Sequence, residues 1–118
     1  MSGRGDILDR MEEQEERKRL ERINSSLRRG DKVSVDDLRL LLMDALKRVR
    51  VGAVYQHVKT STLYKPTGVA LQEKDLSVVV LYTPYDGGGA GELCFSRPID
   101  EFLDRFQRVK QQTMWVPA

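Results

Sequence analysis

Gly52-Ala53-Val54-Tyr55-Gln56-His57-Val58-Lys59 is the stretch in which the period of the chain changes. Before it, apolar residues recur every three or four positions, as on a helix; within it, they alternate. On a strand of period two, Tyr55, His57 and Lys59 project from one face, which makes that face a polar site or a protected edge. Downstream, Leu63 to Gln72, Leu76 to Thr83 and Gly91 to Ser96 read as further strands rich in Val, Tyr, Thr and Leu. Thr60-Ser61-Thr62, Glu73-Lys74-Asp75 and Asp86-Gly87-Gly88-Gly89 separate them. Short strands joined by tight turns suggest an antiparallel meander that curls into a small barrel. Pro66 with Gly68 implies an edge or a bulge, and Pro98 ends the fourth strand. Ile99, Phe102, Leu103 and Phe106 then space out a short helical segment, and Thr113 to Val116 could add a last strand.

Upstream of the change, Ile7 to Arg29 is dense in Glu, Arg and Lys, with acid-first pairs four apart such as Glu13 with Arg17 and Glu15 with Arg19. This reads as a helix, although Glu12 to Arg19 contains no apolar residue, so that part is a solvated arm or a weak coiled coil. Gly30 stops it. Ser34 is placed to cap a second helix with Asp36 and Asp37 in its first turn, and Leu38, Leu41, Leu42, Ala45, Leu46 and Val49 form its apolar stripe. The expectation is an α+β protein: residues 1–50 a helical hairpin for packing or oligomerisation, residues 51–118 a small antiparallel β-barrel domain.

Twenty basic against eighteen acidic residues leave a net charge of +2, so there is no broad basic field and any anion site must be local. One cysteine excludes an intrachain disulfide, and one Cys with one His cannot make a structural zinc site within the chain. Cys94, in the run Leu93-Cys94-Phe95, reads as a small core residue rather than a nucleophile, because no cation adjoins it to lower its pKa. No export signal is legible and the apolar runs are too short to span a bilayer, which points to a reduced, cytoplasmic setting without a membrane.

Several short motifs stand in a recurring order: Tyr55-Gln56-His57-Val58-Lys59, then Tyr64-Lys65-Pro66-Thr67-Gly68-Val69-Ala70, Val78 to Tyr82, and Phe95-Ser96-Arg97-Pro98-Ile99-Asp100-Glu101-Phe102. In this order they resemble a small bacterial and phage family of unknown function, with a Gly-x-Tyr-Arg-His-Tyr-Lys opening and a Trp-x-Arg-Pro-x-x-x-Phe closing motif. The likeness covers residues 52 to 106. Here Gln56 replaces the family arginine and Phe95 the family tryptophan, and the glycine-rich loop is longer. The resemblance implies an SH3-like barrel in which His57, Lys59, Tyr82 and Arg97 are family-type polar positions, and it implies no reaction.

Tyr55, His57, Lys59, Tyr82 and Arg97 are thus the candidate ligand-binding residues. A guanidinium suits phosphate or carboxylate, and tyrosine rings beside cations suit a nucleotide-like anion. Each residue also has a structural reading. Lys59 can be an edge charge and His57 an exposed strand residue, while Arg97 can clamp the following segment through carbonyls, Asp100 or Glu101. The first function is a non-enzymatic module that captures a small anionic ligand, as sensor or sequestering protein, with the helices forming a homodimer or higher oligomer. The second is a protein adaptor working through the helical arm. Nucleic-acid binding ranks third, because Glu12, Glu13, Glu15, Glu16 and Glu21 interrupt the basic residues of the first helix. Catalysis is not expected, since general acid–base work by His57 needs a second group that the sequence does not place, and no cofactor is called for.

Overall fold

The structure, a computed structural model, describes residues 3–85 and 93–110. It is α+β, with elements in the order α1 (Gly3–Arg29), α2 (Val35–Arg48), β1 (Tyr55–His57), β2 (Leu63–Leu71), β3 (Val78–Pro84), β4 (Phe95–Pro98), α3 (Ile99–Arg105) and β5 (Phe106–Arg108). Its contacts divide the chain into two compact units, residues 1–41 and 42–118. The seam falls inside α2, although the period changes only near residue 50, because Ala45 and Val49 are buried in the core of the second unit. No described helix is long and apolar enough to cross a membrane.

In the first unit, α1 ends where the sequence says it must. Gly30 adopts φ +78°, the Asp31 amide donates to Ser26 O at 2.9 Å, and the Gly30 amide donates to Leu27 O at 3.0 Å. This is a Schellman closure, which satisfies carbonyls that the helix end leaves open. Ser34 caps α2, its Oγ accepting from the Asp37 amide at 3.2 Å. Arg19 donates to Asp37 Oδ1 from both Nε (3.2 Å) and Nη2 (2.7 Å), and Ile23 and Leu41 are buried. Near the start of α1, Ile7, Leu8 and Met11 are each more than half exposed.

The second unit is built on a five-stranded antiparallel sheet in the order β4-β3-β2-β1-β5. One face carries Tyr55, Tyr64, Val80, Tyr82, Arg97 and Phe106, as the register pairs Tyr55↔Tyr64, Val80↔Arg97 and His57↔Phe106 require. Ala45, Val49, Ile99 and Phe102 complete the core on that face. Thr67 is the extra residue of a bulge, for Pro66 pairs with Tyr82 and Gly68 with Leu81.

Three expectations change here. First, among the described residues no ladder joins β4 to β5, so the sheet is open rather than a closed barrel. β4 and β5 are its two edges, and α3, which connects them, crosses the face between and buries Phe102 instead of letting the edges meet. Second, Phe106 is not helical: it takes φ −120°, ψ 145° and begins β5 opposite His57. Third, Cys94 is exposed, because it precedes edge strand β4 rather than lying within a central strand. The glycine-rich loop and the expected strand at 113–116 lie outside the described residues.

Candidate functional site

Arg97 is where the polar chemistry of the sheet unit gathers. β4 sets it across from Val80 on the face that also carries Tyr82, and Pro98 turns the chain directly into α3, which brings Glu101 back over it. Arg97 Nε donates to the Tyr82 hydroxyl at 3.3 Å, and Nη1 donates to Glu101 Oε1 at 3.0 Å. Arg105 Nε approaches the same carboxylate oxygen at 3.7 Å, so two guanidinium groups converge on one acceptor. The guanidinium carbon of Arg97 stands 5.4 Å from the centre of the Phe106 ring. The Tyr82 hydrogen bond, followed by the attraction of Tyr82, Glu101 and Tyr64, holds the Arg97 pKa above its ordinary value, against the opposing effect of burial. The Arg97 side chain is 25% exposed and that of Glu101 43%, so the pair sits at the rim and not in the core.

Beneath it lies an aromatic floor. Phe102 and Phe106 stack at 4.3 Å and 9°, and Tyr82 meets Tyr64, Phe102 and Phe106 at 5.3–5.4 Å between centroids. Such pairs each contribute roughly 0.5–1.5 kcal/mol beyond the area they bury. Phe95, beside Tyr82 at 5.8 Å, is the exposed end of this row.

The remaining candidates are placed differently. Tyr55 is buried, its ring edge-on to Phe102 and its hydroxyl accepting from the Arg50 amide at 3.0 Å. His57 shares the face of Tyr55, as alternation requires, and packs edge-on against Phe106 at 4.9 Å. Its Nδ1 accepts from the amides of Lys59 (3.2 Å) and Thr60 (3.3 Å), which fixes the ring hydrogen on Nε2 and caps the turn. That cap ends β1 at His57, so Lys59 does not continue the face of Tyr55 and His57: it lies exposed in the turn. The structure therefore brings Tyr82 and Arg97 together, ties Tyr55 and His57 to the aromatic floor, and leaves Lys59 outside. Of the acids that Arg97 was expected to hold, Glu101 is the partner, while Asp100 binds Arg48 at 2.6 Å. The role of Arg105 was not anticipated: it approaches Glu101 as an i, i+4 neighbour on the seven-residue α3.

Among the described residues no group of three His, Cys, Asp or Glu side chains is arranged to hold a metal ion. The chain matches no protein-family model, no curated protein and no solved structure.

Proposed function

We propose that the sheet unit is a non-enzymatic binding module for a small anionic ligand carrying a flat ring, nucleotide-like in its chemistry, which it senses or sequesters. The observation that carries this reading is the convergence of Arg97 and Arg105 on one oxygen of a half-exposed carboxylate. Glu101 stands where a ligand phosphate or carboxylate would be held. A rim carboxylate is loosely retained, since exposed ion pairs contribute only about 0–1 kcal/mol, so a ligand oxyanion can take its place. The exposed ring of Phe95 then offers the ligand a stacking surface beside Tyr82. The segment that supplies Arg97, Glu101 and Phe102 is also the closing motif behind the resemblance to the SH3-like family, and kinship with that barrel belongs to the same proposal.

Thermal-shift curves against a panel of nucleotides and cyclic nucleotides test it, since ligand at 100 times its Kd adds about 2.7 kcal/mol of stability. The wild type should shift, Arg97→Ala should stay folded without shifting, and Glu101→Gln should shift at lower ligand concentration because the competing charge is gone. No shift in either the wild type or Glu101→Gln removes the reading.

A second reading, that the helical arm is an adaptor or self-association element, is favoured by one observation. Ile7, Leu8 and Met11 expose their side chains together near the start of α1. Sedimentation of Leu8→Glu/Met11→Glu should then report a smaller mass than the wild type; an unchanged mass rules out self-association through these residues.

A further inference from the structure

The hairpin unit carries a second cationic site, independent of the one on the sheet. Its cleft of about 370 Å³ lies over buried Ile23 and is bordered by Arg19, Arg22, Ser26, Lys32 and Asp37. Local structure accounts for the gathering. Arg22 and Ser26 are one turn apart on α1 and share a face, and the Schellman closure at Gly30 and Asp31 turns the chain so that Lys32 joins the same cleft.

The lining has three cations and one carboxylate. That carboxylate, Asp37, is already taken by Arg19 through two donors. Among the described residues, neither Arg22 nor Lys32 has a hydrogen-bond or ion-pair partner. Ser26 Oγ accepts from Arg29 Nη2 at 3.4 Å, which leaves its own hydrogen to donate. A neighbouring cleft of about 560 Å³ shares Arg22 and Ser26 and adds Lys18, Ser25 and Arg29, with Glu21 its one acid. Of the acids that interrupt the basic residues in sequence, Glu12, Glu13, Glu15 and Glu16 border neither cleft, since along the helix axis they precede Lys18, the first α1 residue of either lining.

We propose that the hairpin cleft is a binding site for a phosphate group. In it Arg22 supplies a forked donor, Lys32 a point charge and Ser26 a hydroxyl donor. The adjoining cleft receives a second phosphate linked to the first. Two sources share this chemistry: a free diphosphate, and successive phosphodiesters of a single-stranded nucleic acid.

Titration of the full chain with inorganic pyrophosphate by calorimetry, and with a labelled short oligothymidylate by fluorescence anisotropy, tests the proposal and separates the sources. Arg22→Ala and Lys32→Ala should each weaken binding about tenfold, as loss of a charge-assisted contact requires, while Lys74→Ala, which removes an exposed cation of the turn between β2 and β3, leaves it unchanged. Arg22→Lys, which keeps the charge and loses the fork, should fall between, and far-UV circular dichroism confirms that each variant is folded. Tight pyrophosphate binding identifies a free-phosphate site. Binding of the oligonucleotide alone identifies a backbone site, and its salt slope should then drop by about 0.7 in Arg22→Ala. If neither probe binds, if binding ignores both hairpin substitutions, or if Arg97→Ala alone removes it, the proposal is overturned.

Discussion

The two units hold their arginines in opposite ways. In the sheet unit Arg97 is bonded to Tyr82 and Glu101 and lies over Phe106, whereas in the hairpin Arg22 borders two clefts without a partner among the described residues. A cation engaged on three sides keeps its place by matching its neighbours, and a ligand must displace one of them. A cation with no neighbour keeps its hydration, and a ligand need only displace water. Strength of local structure is therefore a poor guide to availability: the better ordered arginine is the harder one to use.

Substitutions can break or sharpen this contrast. The largest effect should come from Phe102→Ala, which removes the fully buried ring stacked on Phe106 and touching Tyr55 and Tyr82; denaturant unfolding should show a loss of about 3–5 kcal/mol. A much smaller loss would mean that the aromatic floor is not what positions Arg97. Tyr82→Phe keeps the ring and deletes the oxygen that Arg97 Nε reaches, so the same measurement should give about 1–2 kcal/mol. In the hairpin, Gly30→Ala should cost about 1 kcal/mol. The added Cβ meets nothing within 4 Å, so the cost is that of φ +78° alone, and melting of the variant reads it directly. Smallest of all, Arg22→Ala should alter stability by no more than about 0.5 kcal/mol, because it removes no partner. A cost near that of Tyr82→Phe would erase the difference between the two arginines.

What was legible in the sequence divides along the same line. The helix ends of the hairpin were read closely, since Gly30, Ser34 and Asp36 act within one turn of their own positions, whereas the pairing of Asp37 with Arg19 across the hairpin was not visible beforehand. Strands β2 and β3 were likewise legible from alternation, as was the bend near Pro66. Phe106 was misplaced because it continues the helical spacing of Ile99, Phe102 and Leu103, and only pairing with β1, about fifty residues earlier in the sequence, makes it extended. Lys59 failed for a subtler reason: alternation holds while a strand lasts, and the imidazole of His57 ends this one by capping the next turn. Within the site, Tyr82 and Arg97 were found as residue types suited to an anion, but their mutual bond follows from strand register and was not visible beforehand. The hairpin clefts were hidden by averaging over the whole of α1, whose acids other than Glu21 all precede Lys18, the first residue of either lining.

The bulge at Thr67 works like a comma in the reading frame of β2. Before it Tyr64 and Pro66 share one face; after it Val69 and Leu71 take that face, an odd step on. Loss of Thr67 would bring Pro66 and Gly68 side by side opposite Tyr82 and Leu81, which are already adjacent, so every other pairing between β2 and β3 would survive. Loss of a residue elsewhere within the strand would shift the frame and turn part of it inside out. Thr67 is thus the position within β2 at which the length of the strand is free to vary without changing its meaning.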